Sequence, residues 1–278
     1  MRPMRDEEPP AHPAAVWMSV PSTSLPAKDL ERAGHTATLV DKTIYVIGGR
    51  RKDASKKGGG DDQFMSDVLR FKTADLVWDV IDRDGSLQPR AYHTATLIED
   101  EIWVVGGINT QIGEEILGDV WVFNPSLLQW RRANLSGEVE LLARGGHQAC
   151  VHPTRPGVIL IHGGFTLLGK QGFLGDLVAL DTATGRVDPV RPEGGPCEIA
   201  VRGYHSLTVV GTRCYIIGGR YFDESGNASS IHKRNMLVVY DAAANKWLVP
   251  GRVAGPTPRE RSGHKAARVG SSVVFMGG

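Results

Sequence analysis

No single charge sign, no long apolar run and no cysteine framework dominates this sequence. Lys and Arg total 32 against 31 Asp and Glu, a formal charge of +1. That balance excludes an electrostatic grip on nucleic acid or on an acidic membrane surface. The longest apolar runs are far too short to span a bilayer. The opening MRPMRDEEPPAHP has no apolar signal core, so no secretory leader is expected. Three cysteines, Cys150, Cys197 and Cys214, form neither an even disulfide set nor a zinc spacing. They read as reduced thiols of a cytoplasmic protein. A phosphate-binding glycine motif, His-Glu-x-x-His and a nucleophile elbow are all missing. No cofactor or metal is therefore expected.

Glycine is what the chain has in quantity, with 34 residues. Five double glycines stand at 48–49, 106–107, 163–164, 218–219 and 277–278, spaced by 58, 57, 55 and 59 residues. Before each pair runs an apolar stretch: IYVI, IWVV, VILIH, CYII and VVFM. Both alternating faces of these stretches are apolar, the pattern of strands buried on two sides. Upstream comes Arg-x-Gly/Tyr-His, as RAGH from Arg32, RAYH from Arg90, RGGH from Arg144, RGYH from Arg202 and RSGH from Arg261. Downstream come SDVLRF, GDVWVF, GDLVAL and NMLVVY. A tryptophan follows seven residues past Phe71, Phe123 and Tyr240, at Trp78, Trp130 and Trp247. The third repeat holds Leu180 and Val187 there instead.

Each unit thus contains four short strands, A to D, joined by turns. Such units cannot bury two apolar faces alone. Stacked radially, each covers the next, which is the propeller arrangement. Arg-x-Gly-His, the double glycine and the spaced aromatics together resemble the kelch repeat. The resemblance covers nearly the whole chain after residue 15 and implies an all-β propeller, most often of six or seven blades. Four complete four-stranded blades and one partial blade are expected. Residues 1–14 read as a disordered tail and 15–278 as the propeller. Residues 15–20, with Trp17, read as a strand D without its A, B and C, and the chain stops after its fifth A–B hairpin. These ends suggest a truncated six-bladed ring, with a closed five-bladed ring as the alternative.

Strand order places the motif arginine, the glycines and the Asp that opens strand C on one face. Arg32, Arg90, Arg144, Arg202 and Arg261 are therefore expected to cross strand B toward Asp67, Asp119, Asp176 and, in the fourth unit, Asn235. The glycines would leave the room, with the motif histidine buttressing. Because some kelch domains hold acidic peptides with arginines near this place, the same five residues are also candidate ligand contacts. His162, alone among aliphatics before its glycines, reads as a core histidine or a channel-lining group.

Function on a repeat scaffold lives in what is not repeated. The first B–C loop carries Arg50, Arg51, Lys52, Lys56 and Lys57, either a solvated loop or a grip on an acidic partner. The fourth carries Arg220, Tyr221 and Phe222, a contact patch or packing onto the next blade. The second is acidic at Glu114 and Glu115, and the third is apolar at Phe165, Leu167, Leu168 and Phe173. The resemblance also allows enzymes. A copper site of tyrosines, histidines and a cross-linked cysteine is not found, and an iron-binding Glu-x3-Asp-x3-His is broken at Ala228, between Glu224 and His232. The sequence therefore points to a protein-interaction module that binds a partner through loops on one face. The alternative is a small-molecule enzyme in the central pocket, of sugar-mutarotase or oxidase type.

Overall fold

In the computed structural model, residues 25–26, 30–52, 62–82, 87–110, 115–166, 172–222, 228–230, 236–248, 250 and 258–278 are described. The expectations for residues 1–14 and 15–20, Lys56, Lys57, Glu114, Leu167, Leu168, Glu224, His232 and Asn235 fall outside them. Strands A to D of blade one are Thr36–Val40, Thr43–Lys52, Asp62–Lys72 and Val77–Asp82. Those of blade two are Thr94–Ile98, Glu101–Val105, Val120–Asn124 and Gln129–Arg132. Blade three has Gln148–Val151, Val158–His162, Leu177–Asp181 and Arg186–Val190. Blade four has Ser206–Val210, Arg213–Ile217, Leu237–Asp241 and Lys246–Leu248. Blade five is the hairpin Lys265–Val269 with Ser272–Met276. Within each complete blade the strands pair in the order A-B-C-D, all antiparallel. Consecutive A strands lie side by side, which makes them innermost around the axis.

Alternation on strand B explains why the blades need each other. In blade two, Ile102 and Val104 join Tyr45, Ile47 and Val68 of blade one, whereas Trp103 and Val105 join Ile159 and Ile161 of blade three. Leu160 of blade three turns the other way, toward Cys214 and Tyr240 of blade four. Each fully buried Val, Leu or Ile contributes about 1.5–3 kcal/mol of transfer free energy. That burial exists only when both flanking blades are present. The seven-residue aromatic spacing is a cross-strand pair: Phe71 on Trp78, Phe123 on Trp130 and Tyr240 on Trp247, with ring centroids 4.8, 4.9 and 5.5 Å apart. Leu180 faces Val187 in the same register.

The B–C connections differ from their reading as loops. Each begins as an antiparallel ribbon that carries strands B and C past the glycines. Blade one pairs Arg50 with Phe64, Arg51 with Gln63 and Lys52 with Asp62. Blades two to four pair Ile108 with Ile116, Phe165 with Phe173, and Arg220–Phe222 with Ala228–Ser230. Backbone groups emerging from a blade find their partners in each other, which a polar, Gly-rich composition does not reveal. Blade three also gains a fifth strand, Ser136–Gly137, parallel to its strand D.

Candidate ligand-binding face

The face that holds the ribbons is here called the top. The motif arginine of each blade enters below it. Arg90 donates from Nη1 and Nη2 to the two oxygens of Asp119 at 2.8 and 3.0 Å, and from Nη1 to the Gly106 carbonyl at 3.0 Å. Arg32 does the same with Asp67 and the Gly48 carbonyl, and Arg144 with Asp176 and the Gly163 carbonyl. Arg202 and Arg261 donate to the carbonyls of Gly218 and Gly277, at 2.9 and 3.0 Å. Burial works against the Asp119 charge, but Arg90's hydrogen bonds and charge, with the Trp121 N–H, keep its pKa below the ordinary value. Burial also lowers Arg202 to about 10.

The double glycine does more than leave room for a guanidinium. Gly48 and Gly49 have φ of 58° and 105°, in the left-handed region. The Gly49 N–H donates to the Arg90 carbonyl of the next blade at 2.8 Å, and a Cβ on Gly48 would lie 2.7 Å from that same oxygen. The pair is thus where neighbouring backbones dock. Four of the five motif histidines also act between blades. Nε2 of His93 shares a hydrogen bond with Thr36 Oγ1 of blade one at 3.0 Å, and His147 with Thr94 of blade two at 2.9 Å. His264 reaches Ser206 at 2.9 Å, and His205 reaches His162 Nδ1 at 3.0 Å. His162 is fully buried against the Trp247 ring, a core histidine. Burial, then neighbouring arginines, hold His147 and His162 at about 3.

Above these contacts a backbone belt runs from blade to blade through the third motif residue. Tyr92 N–H donates to Gly34 O, Gly146 N–H to Tyr92 O, Tyr204 N–H to Gly146 O and Gly263 N–H to Tyr204 O, at 2.7–2.9 Å. All five residues have left-handed φ, from 55° to 73°. Three are glycine; the other two are tyrosine. Their rings meet edge-to-face at 5.3 Å. Phe165, directly after the third glycine pair, stacks on Tyr204 at 5.7 Å, and Phe173 of the same ribbon lies 6.5 Å from it. Arg50 donates from Nε to the Tyr92 hydroxyl at 2.9 Å, with its guanidinium 5.2 Å above the ring, and forms an ion pair with Asp62. Across the cluster, exposed Arg220 donates to Ser262 Oγ at 2.9 Å. Burial raises the Tyr204 phenol to about 12, while the charges of Arg50 and Arg220 oppose that shift. The mouth is thus a half-buried aromatic cluster between two guanidinium groups.

Comparison with known proteins matches this geometry. The family model of the KLHDC2/KLHL20/DRC7 Kelch-repeats domain matches residues 14–154 and 93–278. The chain belongs to the kelch-repeat family. Kelch domain-containing protein 10 of Xenopus laevis is 25% identical over 279 residues, covering 94% of this chain. Kelch domain-containing protein 3 of Rattus norvegicus is 28% identical over 260 residues, covering 89% of this chain. The chain spans 64% of the length of each of these two relatives. A solved structure titled "Structure of YjhT" superposes with a TM-score of 0.64 at 18% identity, covering 92% of this chain and 74% of that one, and shows the shared fold.

On this kelch scaffold the residues singled out from sequence divide into two sets. Arg32, Arg90, Arg144, Arg202 and Arg261 brace their own blades. Arg50 and Arg220 occupy equivalent positions after the glycines and frame the mouth. Arg51 donates to the Gln63 side chain on the first ribbon, and Lys52 is exposed beyond it. Tyr221 is half-buried and, one residue on from Arg220 along a strand, turns to the other face of its ribbon. Phe222 pairs with Ala228, and its side chain is outside the described set. Tyr92 and Tyr204 were not singled out, although RAYH and RGYH signal them by putting a bulky residue where the other repeats put glycine. Among the described residues, no three of His, Cys, Asp and Glu gather to hold a metal ion, and no helix is long and apolar enough to cross a membrane.

Proposed function

We propose that this chain is a protein-interaction module that holds an acidic segment of a protein partner at the top-face mouth. The supporting observation is the placement of exposed Arg220 on one side of Tyr92 and Tyr204, with Arg50, paired to Asp62, on the other, built from three different blades. Guanidinium groups pair with carboxylates through charge-assisted hydrogen bonds, and Arg and Tyr are the residue types that carry most interface energy. The reading also takes the chain to work in a reducing compartment, in keeping with its three free cysteines.

A photocrosslinking amino acid tests it. Placed at Ser262, which meets Arg220 at the mouth, it is expected to trap a partner in cell extract, and poly-glutamate and raised salt are expected to suppress the product. Placed at the exposed Leu127, on a C–D turn of the opposite face, it is expected to trap none. Equal labelling from both faces, or labelling indifferent to poly-glutamate, overturns the proposal.

A further inference from the structure

The third position of the motif poses a specific question. The belt demands a left-handed backbone there, and glycine meets that demand in blades one, three and five. A tyrosine meets it only against the steric preference of an L residue, and such strained bulky residues concentrate at functional sites. Blades two and four carry one each, at φ of 58° and 55°. Each ring lies over the belt glycine of the preceding blade, a Cβ on Gly34 falling 3.1 Å from the Tyr92 ring and one on Gly146 3.2 Å from the Tyr204 ring, and the two rings meet with centroids 5.3 Å apart.

The second motif position shows that the surroundings are shaped to receive rings. A Cβ on Gly145 would lie 2.6 Å from Ile108 Cγ2 and 3.2 Å from the Phe165 ring, and one on Gly203 would lie 2.7 Å from the Phe173 ring. Two further glycines therefore let apolar side chains lie flat across the mouth. Tyr92, Phe165, Phe173 and Tyr204 all remain half-buried, so each keeps an edge toward solvent. The charges at the rim are unequal. Arg50 is committed to Asp62 and the Tyr92 hydroxyl, whereas Arg220 has no acidic partner among the described residues.

Resting on the function proposed above, we infer that the mouth recognises an internal partner segment in which an aromatic or large aliphatic side chain stands beside a carboxylate. The apolar side chain lies on the platform of Tyr92, Tyr204, Phe165 and Phe173. The carboxylate pairs with Arg220. Tyr92 and Tyr204 are the specificity-determining residues, because they alone turn the glycine belt into an apolar surface. A segment with acidic residues only would meet the rim and leave the platform wet, which forfeits the main apolar contribution to binding.

The probe is a library of N-acetylated, C-amidated octapeptides, selected on the immobilised whole chain at low temperature. Expected is enrichment of Phe, Tyr, Trp, Leu or Met within two positions of Asp or Glu. Enrichment of acidic residues with no apolar neighbour overturns this inference and leaves the acidic-segment reading standing. Retention of no peptide overturns both. Variants then locate the preference, with affinities measured by fluorescence anisotropy on a selected peptide and on its apolar-to-alanine version. Tyr204→Gly installs the residue that this backbone favours, and is expected to weaken the selected peptide at least tenfold while changing the alanine version less than twofold. Tyr204→Phe is expected to keep the preference. Equal losses for both peptides, or none for either, would mean that the tyrosine only packs, and would overturn the assignment.

Discussion

Arg90 and Asp119 join strand A to strand C of one blade by passing over the end of strand B. The guanidinium is fully buried, and it binds both carboxylate oxygens together with the Gly106 carbonyl that lies between. The carboxylate keeps partial contact with solvent, with 15% of its side chain exposed. The pair is therefore a brace whose removal leaves one desolvated group unmatched.

Arg90→Ala is accordingly expected to destabilise by about 3 kcal/mol, the low end for breaking a buried pair, because Asp119 can still find water. Arg261→Ala removes the equivalent residue of blade five. There the bonds are exposed and go to the Gly277 and Arg259 carbonyls, so a loss of about 1 kcal/mol is expected. Urea unfolding of the two variants beside the parent measures both. Equal losses would show that the carboxylate adds nothing to the brace.

Gly218 and Gly211 separate two reasons for a glycine within one blade. Their φ values are 62° and 61°, so an alanine at either site carries the same left-handed strain of about 1–2 kcal/mol. Around Gly211 an added Cβ meets nothing within 4 Å, whereas at Gly218 it would lie 2.6 Å from the Arg261 carbonyl of blade five. Gly218→Ala is expected to cost at least about 1 kcal/mol more than Gly211→Ala, the penalty of forcing two packed blades apart. The comparison is read from the difference in unfolding midpoints. Indistinguishable variants would mean that the double glycine serves backbone conformation alone.

The sequence made some of this legible for a physical reason. Repeats fix strand order, and strand order fixes which ends share a face, so Arg90 and Asp119 could be paired without coordinates. The two-sided apolar runs at 102–105 and 158–162 announced that blades cover each other. Contacts between blades were not legible. Whether His93 leans on its own arginine or on Thr36 depends on how closely two A strands approach the axis, and no single repeat encodes that distance. Ser136–Gly137 gave no signal either, being two exposed residues that pair with a strand fifty positions away. The mouth was half visible. Arg50 and Arg220 stood out after the glycines, but Tyr92 and Tyr204 were hidden inside a motif whose recurrence made it look purely architectural.

The histidine latches are expected to make the fold sensitive to acid, with a sign that follows from burial. His93, His147, His162 and His205 are buried, and their pKa values are depressed, first by desolvation and then by nearby arginines and histidines; two of them lie at about 3. Above the unfolded value of 6.5 both states are neutral and these groups do not tilt the balance. As pH falls below 6.5 the unfolded chain takes up protons that the folded chain refuses. Stability is then lost down to the folded pKa, at up to about 1.4 kcal/mol per pH unit for each histidine. Unfolding free energy is expected to fall steeply between pH 6.5 and 4, with a slope of more than two protons. His147→Gln keeps a polar group beside Thr94 and should reduce that slope by about one proton. Urea titrations at half-unit pH steps measure both slopes. A parent protein whose stability stays flat through this window would show that the latches between blades carry protons without cost.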